Sequence, residues 1–255
     1  MIVFDILARE LDSWAEADQI ATLWWRDDDL ACVTPHLSPM TDFLGEAGVP
    51  IAFAVVPMNA DQTLATELQG LPDNSRFLIH GHTHTNHAAA GEKKCEFCSS
   101  RAQERCLDEI VASSNRLKSL FGPDVINCLV PPWNRINEIL VTSLPDVGIR
   151  ALSRFGPRHS ANSAPGLLEV NTHVDLMDWR GNRRFIGCGS MVDALVAHLS
   201  ARRTGKVDKS EPTGILSHHL VTQAAEWSEM APVLRQLTDH PATRFLGAAM
   251  VFEEG

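Results

Sequence analysis

Two short stretches concentrate side chains that bind metals and move protons. Arg26-Asp27-Asp28-Asp29 follows the apolar Leu23-Trp24-Trp25. Three successive carboxylates repel one another, so a cation, water or partner charge is expected to offset them; a solvated turn capping the next helix is the plainer alternative. His80-Gly81-His82-Thr83-His84-Thr85-Asn86-His87 follows Arg76–Ile79 and holds four of the eleven histidines. Neutral imidazole is the commonest metal ligand, and histidines clustered at a strand tip are hard to explain by packing. A divalent metal ion, zinc first, is therefore expected at these rings. Spacing alone leaves the pair open, because His80 and His84 are four apart, His82 and His87 five, and His84 and His87 three.

The elements that must position these groups follow from apolar periodicity. Strand-length runs recur at Leu23–Arg26, Ile51–Val56, Phe77–Ile79, Val125–Val130, Ile149–Ser153, Leu167–Val174 and Gly214–Leu216. Between them Met40–Ala47, Asp61–Leu68, Arg101–Phe121, Arg135–Leu144, Met191–Arg203 and Thr222–Leu237 read as helices, most with apolar residues three or four apart. That alternation predicts an α/β fold of parallel βαβ units. About seven repeats, with no Gly-x-Gly-x-x-Gly turn after the first strand, favour a single-domain, distorted parallel β/α barrel over residues 1–255 rather than an open doubly wound sheet. Functional side chains then belong at the C-terminal ends of strands. The stretches Phe155–Gly166 and Thr204–Pro212 read as loops.

Composition narrows the partners. A formal net charge of −10 and a pI near 5.5, without any basic run, argue against nucleic acid or an anionic membrane as the ligand and leave an acidic soluble enzyme as the default. Asp5, Arg9, Glu10 and Asp12 interrupt the N-terminal region where an export signal needs an apolar core, and no stretch of about 18 apolar residues suits a membrane span. A cytoplasmic protein with six reduced cysteines is expected. Cys95 and Cys98 form a Cys-x-x-Cys, but a four-ligand zinc site would need a second pair that the sequence does not offer.

Further along lie Pro131-Pro132-Trp133, Asp175-Leu176-Met177-Asp178-Trp179 and Leu216-Ser217-His218. With Asp28-Asp29 and His80–His84 they make five motifs in one order over residues 22–220, and in that order the chain resembles the polysaccharide deacetylases (NodB-like, family-4 carbohydrate esterases). Any one motif is weak; five in sequence are specific. The resemblance implies Asp28 as general base, Asp29, His80 and His84 as metal ligands, His218 as general acid and the Trp133 amide as an oxyanion donor. It also implies that Asp178 lies beside His218 or the substrate. Such a set would remove an acetyl group from an N- or O-acetylated sugar or related small amide. Two departures stand out: the family's Arg three residues before the aromatic is Val130, so Arg26 or Arg135 must orient Asp28, and the Gly after the Asp pair is Leu30. His82 or His87 could replace either ligand histidine.

Two other readings compete. An amidohydrolase-type barrel also gathers His and Asp at strand ends, but it usually has His-x-His on its first strand. A catalytically inactive, metal-containing carbohydrate-binding protein would account for the missing Arg, though not for keeping both Asp28 and His218.

Overall fold

A computed structural model describes residues 2–71 and 75–252. Helix α1 (Ile2–Glu16) precedes β1 (Ala21–Leu30), after which strands and helices alternate: α2 (Leu37–Glu46), β2 (Ile51–Val55), α3 (Gln62–Glu67), β3 (Arg76–His80), α4 (Gln103–Phe121), β4 (Val125–Val130) and α5 (Glu138–Val141). There follow β5 (Ala151–Leu152), β6 (Asn162–Ala164), β7 (Leu167–Glu169), β8 (Val174–Asp175), α6 (Gly187–Thr204), β9 (Thr213–Ser217), α7 (Ala224–Asp239), β10 (Thr243–Phe245) and α8 (Ala248–Phe252).

Strands β5, β4, β3, β2, β1 and β9 lie side by side, all parallel. Closure comes from the segment carrying β7 and β8. Its first half pairs with β5, where the N–H groups of Val170 and Thr172 donate to the carbonyls of Leu152 and Arg154. Its second half pairs with β9, through His173 to Gly214 and Leu176 to Leu216. Counted as one, that segment makes the seventh strand of a distorted parallel barrel. The loop expected over Phe155–Gly166 contains β6, antiparallel to β7 outside the ring, and β10 takes the edge of β1 below the point where β2 begins.

Alternation along the strands sorts side chains into two apolar layers. Trp25, Phe53, Ile79 and Leu129 face the helices, together with Leu195 and Leu199 of α6 and Met230 and Leu234 of α7. Trp24, Ala52, Ala54, Leu78, Cys128, Val130, Ala151 and Val170 face inward, and α8 adds Ala248, Val251 and Phe252 at the end where the strands start. The lining is small because Trp24 and Arg26 occupy the bore. Gly214 makes room for the indole: a Cβ there would stand 2.6 Å from Trp24 Nε1 and from the Asn171 carbonyl oxygen. Among the described residues, no helix is long and apolar enough to cross a membrane.

Candidate active site

The acidic run lies within β1 rather than beyond it. Regular alternation would send Asp28 and Asp29 to opposite faces, but the β1–β2 register slips between Asp27 and Leu30, and Asp29 takes a left-handed backbone (φ 71°). This bulge turns both carboxylates into one pocket. Asp27 points outward and is fully buried, accepting hydrogen bonds from the Ser217 hydroxyl (2.6 Å) and the His219 amide (2.9 Å) and contacting the His219 ring.

Asp28 is gripped by Arg26, whose Nε and Nη2 donate to Oδ1 and Oδ2 at 2.7 and 3.0 Å. The guanidinium is completely buried and also donates to Ser153 Oγ (2.7 Å) and Asn134 Oδ1 (2.9 Å). Of the two cations proposed to replace the family Arg, the structure selects Arg26. Arg135 reaches only the Lys94 carbonyl, and the Val130 side chain packs in the bore.

Asp29 Oδ1 lies 3.0 Å from His80 Nε2 and 3.1 Å from His84 Nε2. Burial opposes its charge, but the hydrogen bonds of the two rings outweigh that and hold the carboxyl well below the usual carboxylate range. His80 Nδ1 sits 3.0 Å from the Val130 carbonyl, which accepts only from an N–H, so Nε2 is the atom turned toward Asp29. Two imidazole nitrogens and one carboxylate oxygen thus converge, a donor set suited to zinc that leaves coordination positions open. Among the described residues this is the only such cluster. His82 turns away to Ser113 Oγ (2.9 Å), and His87 is exposed and outside the cluster.

The loop carrying His84 is held by a residue that the sequence hid. Glu96 is fully buried and accepts from the amides of His82, Thr83 and Thr85 and from the Thr83 hydroxyl. It follows Glu92, Lys93 and Lys94, all exposed, so residue type alone does not single it out. A Cβ on Gly81 (φ 67°) would stand 2.0 Å from Glu96 Oε2, so the approach requires glycine. Flanking Glu96, Cys95 and Cys98 are buried thiols, and burial pushes Cys95 up to about 11.

Across the pocket His218 stands edge-on to the Trp179 ring, 4.7 Å between centroids. Trp179 Nε1 donates to Asp175 Oδ2 (2.8 Å), and burial pushes the Asp175 carboxyl up against the opposing pull of His218. Asp178, expected beside His218 or the substrate, does not line the pocket. Its Oδ1 accepts from the Gly181 amide (2.9 Å) and closes a turn, because the chain bends after β8 and leaves Asp175 as the carboxylate facing inward. Trp133 lines the opposite wall against the His84 ring, 4.4 Å between centroids.

The pocket of about 650 Å³ collects Asp28, Asp29, His80, His84, Trp133 and His218 at one mouth. Backbone strain collects there too. Among the described residues six non-glycines have left-handed backbones, and five of them line this pocket: Asp29, His84, Trp133, Asn134 and Arg183.

No protein-family profile and no curated protein sequence matches the chain. Solved structures do. The fold is that of the family-4 carbohydrate esterases, polysaccharide deacetylases and acetyl xylan esterases. The Bc1960 peptidoglycan N-acetylglucosamine deacetylase aligns over 94% of this chain and 96% of its own, with TM-score 0.54 and 17% identity. A family 4 acetyl xylan esterase from Clostridium thermocellum, in complex with a cobalt ion, aligns over 90% and 89%, with TM-score 0.54 and 12% identity. BA3943, a CE4 family pseudoenzyme from Bacillus anthracis, aligns over 92% and 66%, with TM-score 0.59 and 12% identity. At these identities the likeness is one of fold.

Proposed function

We propose that this protein is a metal-dependent deacetylase acting on an N- or O-acetylated sugar or related small amide. The observation that carries the reading is that Asp29, His80 and His84 converge in the pocket that also holds Asp28 and His218. When bound to the three donors, a divalent ion, zinc by ligand preference, would polarise the acyl carbonyl and make water a better nucleophile.

The chain's own groups supply the rest. Asp28, fixed in both oxygens by Arg26, is placed to take the proton of the attacking water. His218, with Trp179 and Asp175 around it, donates a proton to the departing nitrogen or oxygen, without which an amine leaves poorly. Pro131 and Pro132 lack N–H groups, so the left-handed turn at Trp133 makes its amide the first free donor for the developing oxyanion. Arg26 also bears on the inactive-binder alternative, since it restores the cation whose loss at Val130 was the reason to suspect inactivity.

The test is acetate release by zinc-loaded protein from a panel of N- and O-acetylated sugars and small amides. Turnover should appear with at least one of them and nearly vanish in Asp28→Asn at unchanged metal content. Inertness toward the whole panel, or undiminished turnover in Asp28→Asn, would defeat the reading.

A further inference from the structure

Although the chain carries a formal net charge of −10, the mouth of its pocket is lined by four cations, Lys94, Arg135, Arg180 and Arg183. They form two groups. Lys94 and Arg135 stand on the Trp133 side, with Lys94 Nζ 5.7 Å from the indole centroid, and Arg180 and Arg183 stand on the Trp179 side. Among the described residues none of the four has a carboxylate partner, whereas Arg101, Arg154, Arg158 and Arg203 elsewhere are each paired with Asp or Glu. The contrast is sharpest between neighbours: Arg184 pairs with Glu226 at 3.0 Å, away from the pocket, while Arg183 lines it unpaired.

The turn that presents this second group is braced from within. Asp178 closes it by accepting from the Gly181 amide, its carbonyl accepts from the Arg183 amide (2.9 Å), and Arg183 itself holds a left-handed backbone (φ 56°). Strain of this kind persists only where the surroundings impose it. The acidic floor does not pair with the rim cations: Asp28 is neutralised by Arg26, Asp29 faces the two histidines, and Asp175 accepts from Trp179 Nε1.

From this arrangement we infer that the substrate is anionic: an acetylated sugar bearing a carboxylate or phosphate, which the rim cations hold while the acetyl group reaches Asp28 and His218. The inference rests on the deacetylase reading. A concave mouth lined by one sign of charge concentrates ligands of the other, and guanidinium groups suit both carboxylate and phosphate.

Calorimetric titration of zinc-loaded His218→Ala protein, which keeps the Arg26–Asp28 pair, with N-acetylglucosamine, N-acetylglucosamine 6-phosphate and N-acetylmuramic acid separates the possibilities. At least one anionic probe should bind about tenfold or more tightly than the neutral sugar, the size of one charge-assisted contact. Whichever anion gains more identifies the phosphate or the carboxylate as the recognised group. The advantage should shrink with added salt and fall in Arg180→Ala/Arg183→Ala, yet persist unchanged in Arg184→Ala. Equal affinity for all three probes, binding of none, or an advantage undiminished by the double substitution overturns the inference. The deacetylase reading fails differently: wild-type protein would release no acetate from any probe even if the anion preference in binding were intact.

Discussion

Arg26 and Asp28, two residues apart on β1, form a bidentate ion pair at 2.7 and 3.0 Å with the guanidinium fully buried. Residues i and i+2 share a face of a strand, so the proposed base and the cation that orients it come from one short piece of backbone. Arg26→Lys keeps the charge but loses the fork, and turnover should fall by roughly 10–100-fold at unchanged metal content, because small losses of alignment are costly. Arg26→Ala is less informative, since stranding a buried partner costs about 3–5 kcal/mol of stability. Full turnover in the lysine variant would remove Arg26 as the orienting group.

The metal cluster predicts an asymmetry among three histidines. His80→Ala or His84→Ala should abolish tight zinc binding, whereas His82→Ala should keep it, because the His82 ring is engaged with Ser113. Zinc content after dialysis, together with the rise in Tm on adding zinc, reads this directly. Equal zinc loss in the His82 variant would show that the ion sits elsewhere.

His218 and His219 are neighbours with different surroundings, the first lining the pocket and the second against the buried Asp27. His218→Ala should retain zinc and fold but lower turnover by about 10²–10⁴-fold, with amides suffering more than activated esters. His219→Ala should instead unfold more easily, by about 3–5 kcal/mol, because it leaves the fully buried Asp27 carboxylate without its ring partner. Chemical denaturation of both variants distinguishes the two roles. A stability loss confined to His218→Ala would reverse the assignment.

Glu96 holds the His84 loop through backbone amides, so Glu96→Ala should destabilise the protein by about 1–3 kcal/mol for each buried donor left unpaired. Weaker zinc binding should accompany it as His84 loses its place. Gly81→Ala should act at least as strongly, for its Cβ would collide with the same carboxylate. Calorimetric zinc affinity is the diagnostic measurement, and wild-type affinity in both variants would show that the loop is positioned by other contacts.

The acid side of the stability profile should be governed in part by His198. Burial, reinforced by His173 and Arg202, pushes this ring down to about 2, while in the unfolded chain it titrates near 6.5. A depressed histidine takes up a proton on unfolding. Its contribution is complete above pH 6.5 and drains away as pH falls toward 2, at up to about 1.4 kcal/mol per pH unit. His219 works in the other direction: Asp27 outweighs burial and raises its pKa, so its contribution is lost only as pH climbs above 6.5. Between pH 6 and 5, His198→Asn should therefore flatten the fall in Tm, and an unchanged slope would exclude His198 as a source.

Much of the barrel was legible because parallel strands buried on both faces read as apolar runs. All seven expected runs overlap strands of the ring, and β4 coincides with its expected span. The acidic run hid how far β1 extends, since nothing local says that Arg26 and Asp27 have buried partners more than a hundred residues away, in Ser153 and His219. Helix α1 and the short elements β6, β10 and α8 were not anticipated; the last three are too brief to show a period. Within the proposed site, residue types revealed the donors while the chain path decided which were used. Asp175 and Asp178 are equivalent on paper, and only the bend after β8 separates them. Residue type alone did not single out Glu96.

The clustering of left-handed backbones at the pocket has an energetic consequence. Each such position costs of order 1–3 kcal/mol, and glycine adopts the same conformation without that penalty. On backbone grounds alone glycine would be favoured at Asp29, Trp133, Asn134 or Arg183, and each such change would remove a pocket carboxylate, a pocket wall, a partner of Arg26 or a rim charge.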